Sequence, residues 1–523
     1  MPRASRHNGP VNRSKGSSGD WTTTSGPATS AASDFLQLDT GRAPRGGLTD
    51  WLVGEIRGAL ADGRLPVGSR LPATRQLAAD LEVSRGVVTE AYRRLVEDGH
   101  VVGRGRAGTV VAATPLNTAP APGRRPAAGD GTPAGVFELP PGTEVFETFH
   151  TAPARIDLSP GLPDLAAFPR TAWLRAERAV LDGLAPADFG YGDPRGTLAL
   201  RRAVAGWLRV NRGITADPAE ILVVSGTAQA LGLLARVLGA HGIDRLAVED
   251  PGSLGTRQHL RHWGLETPPV PVDAEGVSVD GLRATGAPAV LLTPAHQFPT
   301  GVVLGGERRR ALLRWAGEGG LVVEDDYDAE HRYDRAPVAA LRAMAPEAVF
   351  YAGSVSKILA PALRTGWLLA PARFRDALVD AKRFADLGNA ALPQLVLARL
   401  MESGALERHL RHIRRRHRAR RDAMITAIRR HLPHARVHGA AAGLHLTVTF
   451  DPGLGLQDTE LAGCALAHGV KTQPLSWHTQ RPSRPGLVLG YAAAAPTAVA
   501  EGVETLARLM PAPSRGRGPS RRR

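Results

Sequence analysis

The sequence predicts an α/β protein in two parts: a small unit of helix, turn, helix and hairpin, then a large unit built on a mostly parallel sheet. Two observations carry this. Over residues 47–112, two short helical patterns are split by a tight turn and followed by an alternating, Gly-rich hairpin pattern. Over residues 156–509, short β-branched runs ("ILVVSG", "RLAVED", "AVLLTPA", "LVVEDDYD", "VFYAGS", "GWLLAP") alternate with helical patterns, as parallel strands joined by helices do. Residues 1–46 are rich in Gly, Ser and Thr and read as a disordered leader. Residues 113–155, with "ATPLNTAPAPGRRPAAGDGTPAG", hold too few large apolar residues to pack and read as a flexible linker. Residues 510–523 read as a disordered basic tail.

Composition narrows the class. A chain of 523 residues with 43% hydrophobic content can bury a large core. Its one cysteine, Cys464, excludes an internal disulfide and reads as a small core residue in a reducing compartment. No apolar run is long enough to span a membrane, and the N-terminus lacks the apolar stretch of a secretory signal, so a cytoplasmic protein with no membrane partner is expected. The net charge of +15 is concentrated: the tail holds five arginines and no acids, and residues 404–421 hold eight arginines against one glutamate. In that second run Leu406, Leu410 and Ile413 recur at helical spacing, which predicts a long helix with a buried side and a solvated basic face.

In "LPATRQLAADLEVSRGVVTEAYRRLVEDGHVVGRGRAGTVV", Pro72 opens the first helix, Leu77, Ala78 and Leu81 face inward, and "EVS" makes the turn. Ser84 caps the second helix, along which Val87, Ala91 and Leu95 lie four apart; the other face presents Arg85, Thr89 and Arg93. Such a helix can enter the major groove of DNA, with a wing tipped by Arg104 and Arg106 over the adjacent phosphates. On pattern alone, a helical bundle for protein contacts is the alternative.

In the large unit, ligand groups gather at the carboxyl ends of the strands. "LVVEDDYDAE" places Asp325 and Tyr327 there, unless they merely cap a solvated strand end. In "ILVVSGTAQALGLLARVL", the backbone N–H groups of Gly226, Thr227 and Ala228 at a helix start form a seat for phosphate. "GSVSKILAPALRTGW" puts Lys357 after a further strand, with Ser354, Ser356 and Arg364 able to contact the same phosphate.

These motifs carry two resemblances. The small unit resembles the winged helix-turn-helix of the GntR family through Leu71-Pro72-Ala73-Thr74-Arg75, Val83-Ser84-Arg85, and Ala91-Tyr92 with Leu95. It departs at Gly86, where that family usually has threonine. Residues 156–509 resemble the fold-type I aminotransferases in the ordered motifs "YGDPRG" (Tyr191 to Gly196), "SGTAQAL", "EDPG" (Glu249 to Gly252), "HQFPTG" (His296 to Gly301), "EDDYDAE", "SVSK" and "AGLHL" (Ala442 to Leu446). The whole chain thus resembles the MocR-type transcriptional regulators.

The resemblance implies pyridoxal 5′-phosphate as cofactor and no metal. Lys357 would form the Schiff base, Asp325 would hold the pyridine nitrogen and Tyr327 the phenolic oxygen. Gly226, Thr227, Ala228, Ser354, Ser356 and Arg364 would take the phosphate, with Tyr191 reaching the phosphate of the other subunit of a homodimer. It implies a double-stranded DNA operator contacted by Arg75, Ser84, Arg85, Thr89, Arg104 and Arg106, and an amino compound as effector. Two departures bear on activity. Ser253 stands where the family commonly has tyrosine, and the region expected to hold a carboxylate-binding arginine reads "RPSRPGLVLGYA", with Arg484 the nearest candidate and Arg481 beside it. The expectation is a cofactor-dependent DNA-binding regulator with at most a slow transamination half-reaction; the alternative is an active aminotransferase with an appended DNA-binding domain.

Overall fold

The structure, a computed structural model, describes residues 32–33, 35–44, 47–105, 108–112, 137, 141–142, 145–333 and 339–511. The leader up to residue 31, Arg106, most of the linker and the tail from residue 512 lie outside the described residues. The chain divides into two compact units, one over Met1–Val96 and His100–Thr118, the other over Glu97–Gly99 and Ala119–Arg523.

In the small unit, helices α1 (Leu48–Ala61), α2 (Thr74–Asp80) and α3 (Arg85–Glu97) precede an antiparallel hairpin of β1 (Val101–Gly103) and β2 (Thr109–Val111). The turn between α2 and α3 is tight enough to put Glu82 at φ 51°, in the left-handed region. The buried stripe of α3 is Val88, Ala91, Tyr92 and Leu95, and Val87 is only half-buried. Steps of three and four follow the 3.6-residue period better than steps of four alone, which is why Val88 takes the inward place expected for Val87. The Tyr92 hydroxyl donates to Pro72 O at 2.9 Å, tying α3 to the segment before α2.

The large unit is built on an eight-stranded sheet. In chain order its strands are β3 (Leu222–Val224), β4 (Leu246–Asp250), β5 (Pro269–Asp273), β6 (Gly276–Val277), β7 (Ala289–Leu292), β8 (Leu321–Asp326), β9 (Val349–Ser354) and β10 (Gly366–Leu369). Across the sheet they run β3-β10-β9-β8-β7-β4-β5-β6. The strands from β9 to β5 are parallel, while β10 is antiparallel to both its neighbours. Alternate residues of one strand enter different cores: Val323 and Phe350 pack on one face, Val322 and Val349 on the other. A sheet covered on both faces explains the continuous apolar runs. Helices α4 (Thr227–Ala240) and α5 (Leu254–His262) follow β3 and β4. A second sheet of β11 (Arg436–His438), β12 (His445–Thr449), β13 (Gln473–Pro474) and β14 (Gly486–Gly490) follows the long helix α6 (Ala405–His431).

Three expectations are corrected. The linker reading fails at its C-terminal end, where Val145–Thr151 is helical and Val145 and Phe149 are buried with Phe137 in one core. Phe137 stacks on Trp477 with ring centroids 5.0 Å apart. The stretch "VFETFH" supplies the large apolar groups that the preceding Pro/Ala/Gly stretch lacks. Cys464 lies exposed rather than in the core, because its helix (Asp458–Ala467) turns Leu461, Ala465 and Leu466 inward instead. The basic side of α6 is a solvated face only in part: Arg408, Arg411, Arg415 and Arg418 are exposed, whereas Arg414, Arg416, Arg420 and Arg421 reach inward, as described below. No described helix is long and apolar enough to cross a membrane.

Candidate functional site

The ends of β8 and β9 meet in register, Asp325 opposite Ala352 and Asp326 opposite Gly353, so the residues following the two strands emerge side by side. They open on a cavity of about 400 Å³ lined by Asp325, Tyr327, Ser354, Ser356, Lys357 and Arg364, with Thr227 and Ala228 at the start of α4. Lys357 Nζ donates to Gly161 O at 2.6 Å. Burial lowers the affinity of this amine for its proton, against the pull of Asp328 and Asp325. Asp325 is 8% exposed, and its Oδ1 has no hydrogen-bond partner. Burial first, then repulsion from Asp326 and Asp328, pushes its carboxyl up to about 7. The Tyr327 phenol is pushed up by burial and by Asp328 and Asp325.

At the other end of the cavity, Gly226 stands before α4 at φ 78°, and a Cβ there would lie 3.2 Å from the Arg364 guanidinium. Arg364 donates to Ser225 O. Behind this cup is a network that sequence reading missed. The buried Lys382 Nζ donates to Gln229 Oε1 and Asp386 Oδ2, both at 2.7 Å. Asn389 Nδ2 in turn donates to Ser225 Oγ at 3.1 Å and to Arg364 O at 3.3 Å. Gln229 lies inside the motif "SGTAQAL"; nothing local in the sequence marks Lys382 or Asn389.

Other predicted residues fall elsewhere. Tyr191 is 98% exposed and outside the cavity lining. Arg484 is exposed, and Arg481 donates to Asp250 Oδ2 at 2.8 Å; neither lines the cavity. The strand that follows them, β14, is buried throughout and carries no arginine. Ser253, in place of an aromatic, lines the cavity and caps α5 by accepting from Thr256 N at 3.3 Å. The lining also includes Arg257, which gives its guanidinium hydrogens to Gly252 O, His478 O and Trp477 O at 2.8, 3.0 and 2.9 Å.

In the small unit, Arg75, Ser84, Arg85, Thr89 and Arg104 are all exposed. Arg93 is drawn back along α3 to Glu90, at 2.6 Å. Free basic and hydroxyl groups therefore gather at the N-terminal end of α3, the end that meets base edges when such a helix enters a groove.

Residues 48–111 match the model of the bacterial regulatory proteins of the gntR family, and residues 155–465 that of aminotransferase class I and II. The probable rhizopine catabolism regulatory protein MocR of Rhizobium meliloti is 32% identical over 462 residues, covering 87% of this chain and 92% of that protein. This chain belongs to the MocR-type regulators. It is a DNA-binding transcription regulator that carries an aminotransferase-like domain. The HTH-type pyridoxine biosynthesis transcriptional regulator PdxR of Corynebacterium glutamicum is 32% identical over 417 residues, 79% of this chain and 86% of its own length. Among solved structures, the α-aminoadipate aminotransferase LysN of Thermus thermophilus, complexed with N-(5′-phosphopyridoxyl)-L-leucine, superposes with a TM-score of 0.63 at 28% identity, over 73% of this chain and 96% of that one. The large unit thus has the fold of enzymes that depend on pyridoxal phosphate.

Proposed function

We propose that this regulator binds pyridoxal 5′-phosphate at Lys357 in the cytoplasm, and that occupancy of the site, or exchange of the lysine linkage for an amino compound, controls operator binding by a homodimer. The observation that carries the reading is Asp325. A buried carboxyl oxygen without a partner is costly, and a protonated pyridine nitrogen would give it one. When bound, the cofactor supplies an aldehyde carbon for amines and an electron sink. Lys357, whose hold on its proton is weakened by burial, is the amine that links to it. Tyr327 would donate to the phenolic oxygen. Gly226, Thr227, Ala228, Ser354, Ser356 and Arg364 would take the phosphate, and the exposed Tyr191 would reach the phosphate held by the second subunit.

The cations of the cavity favour sensing over turnover. Arg257 is spent on three carbonyls, Arg364 lies at the phosphate end, and Arg484 is on the surface. A carboxylate clamp ordinarily orients an amino acid so that its Cα–H bond can break. With no arginine committed to that task among the described lining residues, amine exchange at Lys357 proceeds while proton removal is slow.

The protein loaded with cofactor should absorb in the visible, and borohydride should fix a pyridoxyl group on Lys357; Lys357→Ala should abolish both. Peptide mapping that finds the label on a different lysine would sink the assignment. Amino compounds should shift the spectrum and the DNA affinity, with turnover far below the ~10 s⁻¹ median of enzymes. Steady-state transamination near that median would promote the enzyme reading instead.

A further inference from the structure

Two motifs, "HQFPTG" and "AGLHL", have no part in the function proposed above, yet they build one buried constellation beside Tyr327. The side chains of His296 and Asp328 are 0% and 1% exposed. Nδ1 of His296 lies 2.8 Å from Asp328 Oδ2 and 3.0 Å from the Tyr327 hydroxyl oxygen. Glycines hold the ring in place: a Cβ at Gly443 would come 2.0 Å from His296 Cε1, and one at Gly301 would come 3.1 Å from Nε2. Nε2 has no hydrogen-bond partner. The His445 ring lies 5.2 Å away, with its own Nε2 facing Pro299 O at 3.1 Å, and Asp325, Glu249, Glu330, His331, Tyr333, Lys357 and Tyr491 are among the other charged or titratable groups around the triad.

Hydrogen-bond accounting selects the tautomer. A carboxylate only accepts, so the proton between His296 and Asp328 sits on Nδ1. Nε2 then keeps a lone pair that needs no donor, whereas the opposite tautomer would bury an N–H without an acceptor and set a lone pair against the carboxylate. Tyr327 and Asp328 both meet the same His296 Nδ1, and the carboxylate bears on the phenol, so His296 and Tyr327 compete for that carboxylate. With its hydrogen on Nδ1, His296 cannot accept the tyrosine proton.

We propose that His296 is a positioning residue: by donating Nδ1–H to Asp328 it occupies the acceptor that would otherwise capture the Tyr327 hydroxyl proton, and so turns that proton toward the cavity. There the phenolic oxygen of pyridoxal phosphate would accept it, and to that extent the inference rests on the cofactor reading above.

A donor to that oxygen stabilises its anionic form and lowers the pH at which the visible band of the loaded protein titrates. Tyr327→Phe and His296→Leu should therefore each move the midpoint up by about one pH unit, a tenfold change in proton affinity. The double variant should go no further than Tyr327→Phe, and His296→Asn, whose amide nitrogen takes the place of Nδ1, should restore the midpoint. A wild-type midpoint in His296→Leu, beside a shifted Tyr327→Phe, overturns the proposal and leaves the cofactor reading intact. In ¹⁵N-histidine-labelled protein without cofactor, the resonances lost in His296→Asn should report hydrogen on Nδ1. Hydrogen on Nε2 overturns the proposal even where His296→Leu does not fold. A wild-type protein with no visible band and no reducible linkage overturns the cofactor reading, and this inference with it.

Discussion

Helices α3 and α6 are both arginine-bearing, and the fold puts them to opposite uses. On α3, Arg85 stands exposed at the N-terminal end, beside the exposed Ser84 and Thr89. On α6, which carries the densest basic run within the described residues, Arg408, Arg411, Arg415 and Arg418 are exposed but four other arginines serve the interior. Arg420, 2% exposed, and Arg416 both reach the buried Asp164, at 3.0 and 2.5 Å. Arg414 donates to Glu330 O, and Arg421 to Ala440 O, at 2.6 and 2.9 Å. Charge density therefore does not locate the nucleic-acid interface. What matters is whether a guanidinium's hydrogens are already spent on carbonyls and carboxylates of the fold, because only an unspent one can release counterions from a phosphate backbone.

Breaking the α6 arrangement should have the largest effect. Asp164→Ala leaves two guanidinium groups without their acceptor, one of them buried, and should cost about 3–5 kcal/mol of stability in denaturant titration. DNA affinity per folded molecule should not change; a weakened operator complex at full folding would place α6 at the interface and erase the contrast.

The same logic extends to acids. Asp325 binds its proton more tightly folded than unfolded, since its carboxyl is raised to about 7 from 3.8. The folded cofactor-free protein thus holds more protons between those values, and the stability contributed by this group is lost as pH rises through them. From pH 5 to 7, cofactor-free wild type should lose about 2 kcal/mol relative to Asp325→Asn. Parallel stability curves for the two proteins would contradict this.

Substitutions at the exposed end should act on binding alone. Arg85→Ala and Arg75→Ala should weaken the operator complex by about 1–3 kcal/mol where a base contact is lost, relaxing preference at one position. Melting should stay within about 0.5 kcal/mol of wild type. Unchanged affinity in both variants would move recognition elsewhere. The smallest effect is expected at the wing: Arg104→Ala should make the log–log salt dependence shallower by about one unit, with little change in sequence preference. An unaltered slope would take Arg104 off the phosphates.

Much of this was legible in the residues. The alternating strand and helix patterns, the order of the motifs around Lys357 and the helix-turn-helix period are local signals, because each depends on neighbours within about one turn or one strand. The ends of β8 and β9 could be anticipated as a site for the same reason: parallel strands deliver their carboxyl ends to one edge. The network of Lys382, Gln229 and Asn389 was not legible, since its members lie up to 160 positions apart and meet only through packing. His296 and Asp328 were inside quoted motifs, but their bond crosses from the β7 end to the β8 end.

The sequence by itself thus determined the two fold classes, the residues that carry chemistry and their order, because periodicity and turn chemistry act over short stretches of chain. Tertiary structure alone decided which charges are spent. The burial of Asp325 without a partner, the capture of four α6 arginines, the exposure of Cys464 and the packing of residues 145–151 all depend on which distant surfaces close over a group. That closure sets whether the group keeps its water, and a charge that keeps its water costs little and does little until a ligand takes the water's place.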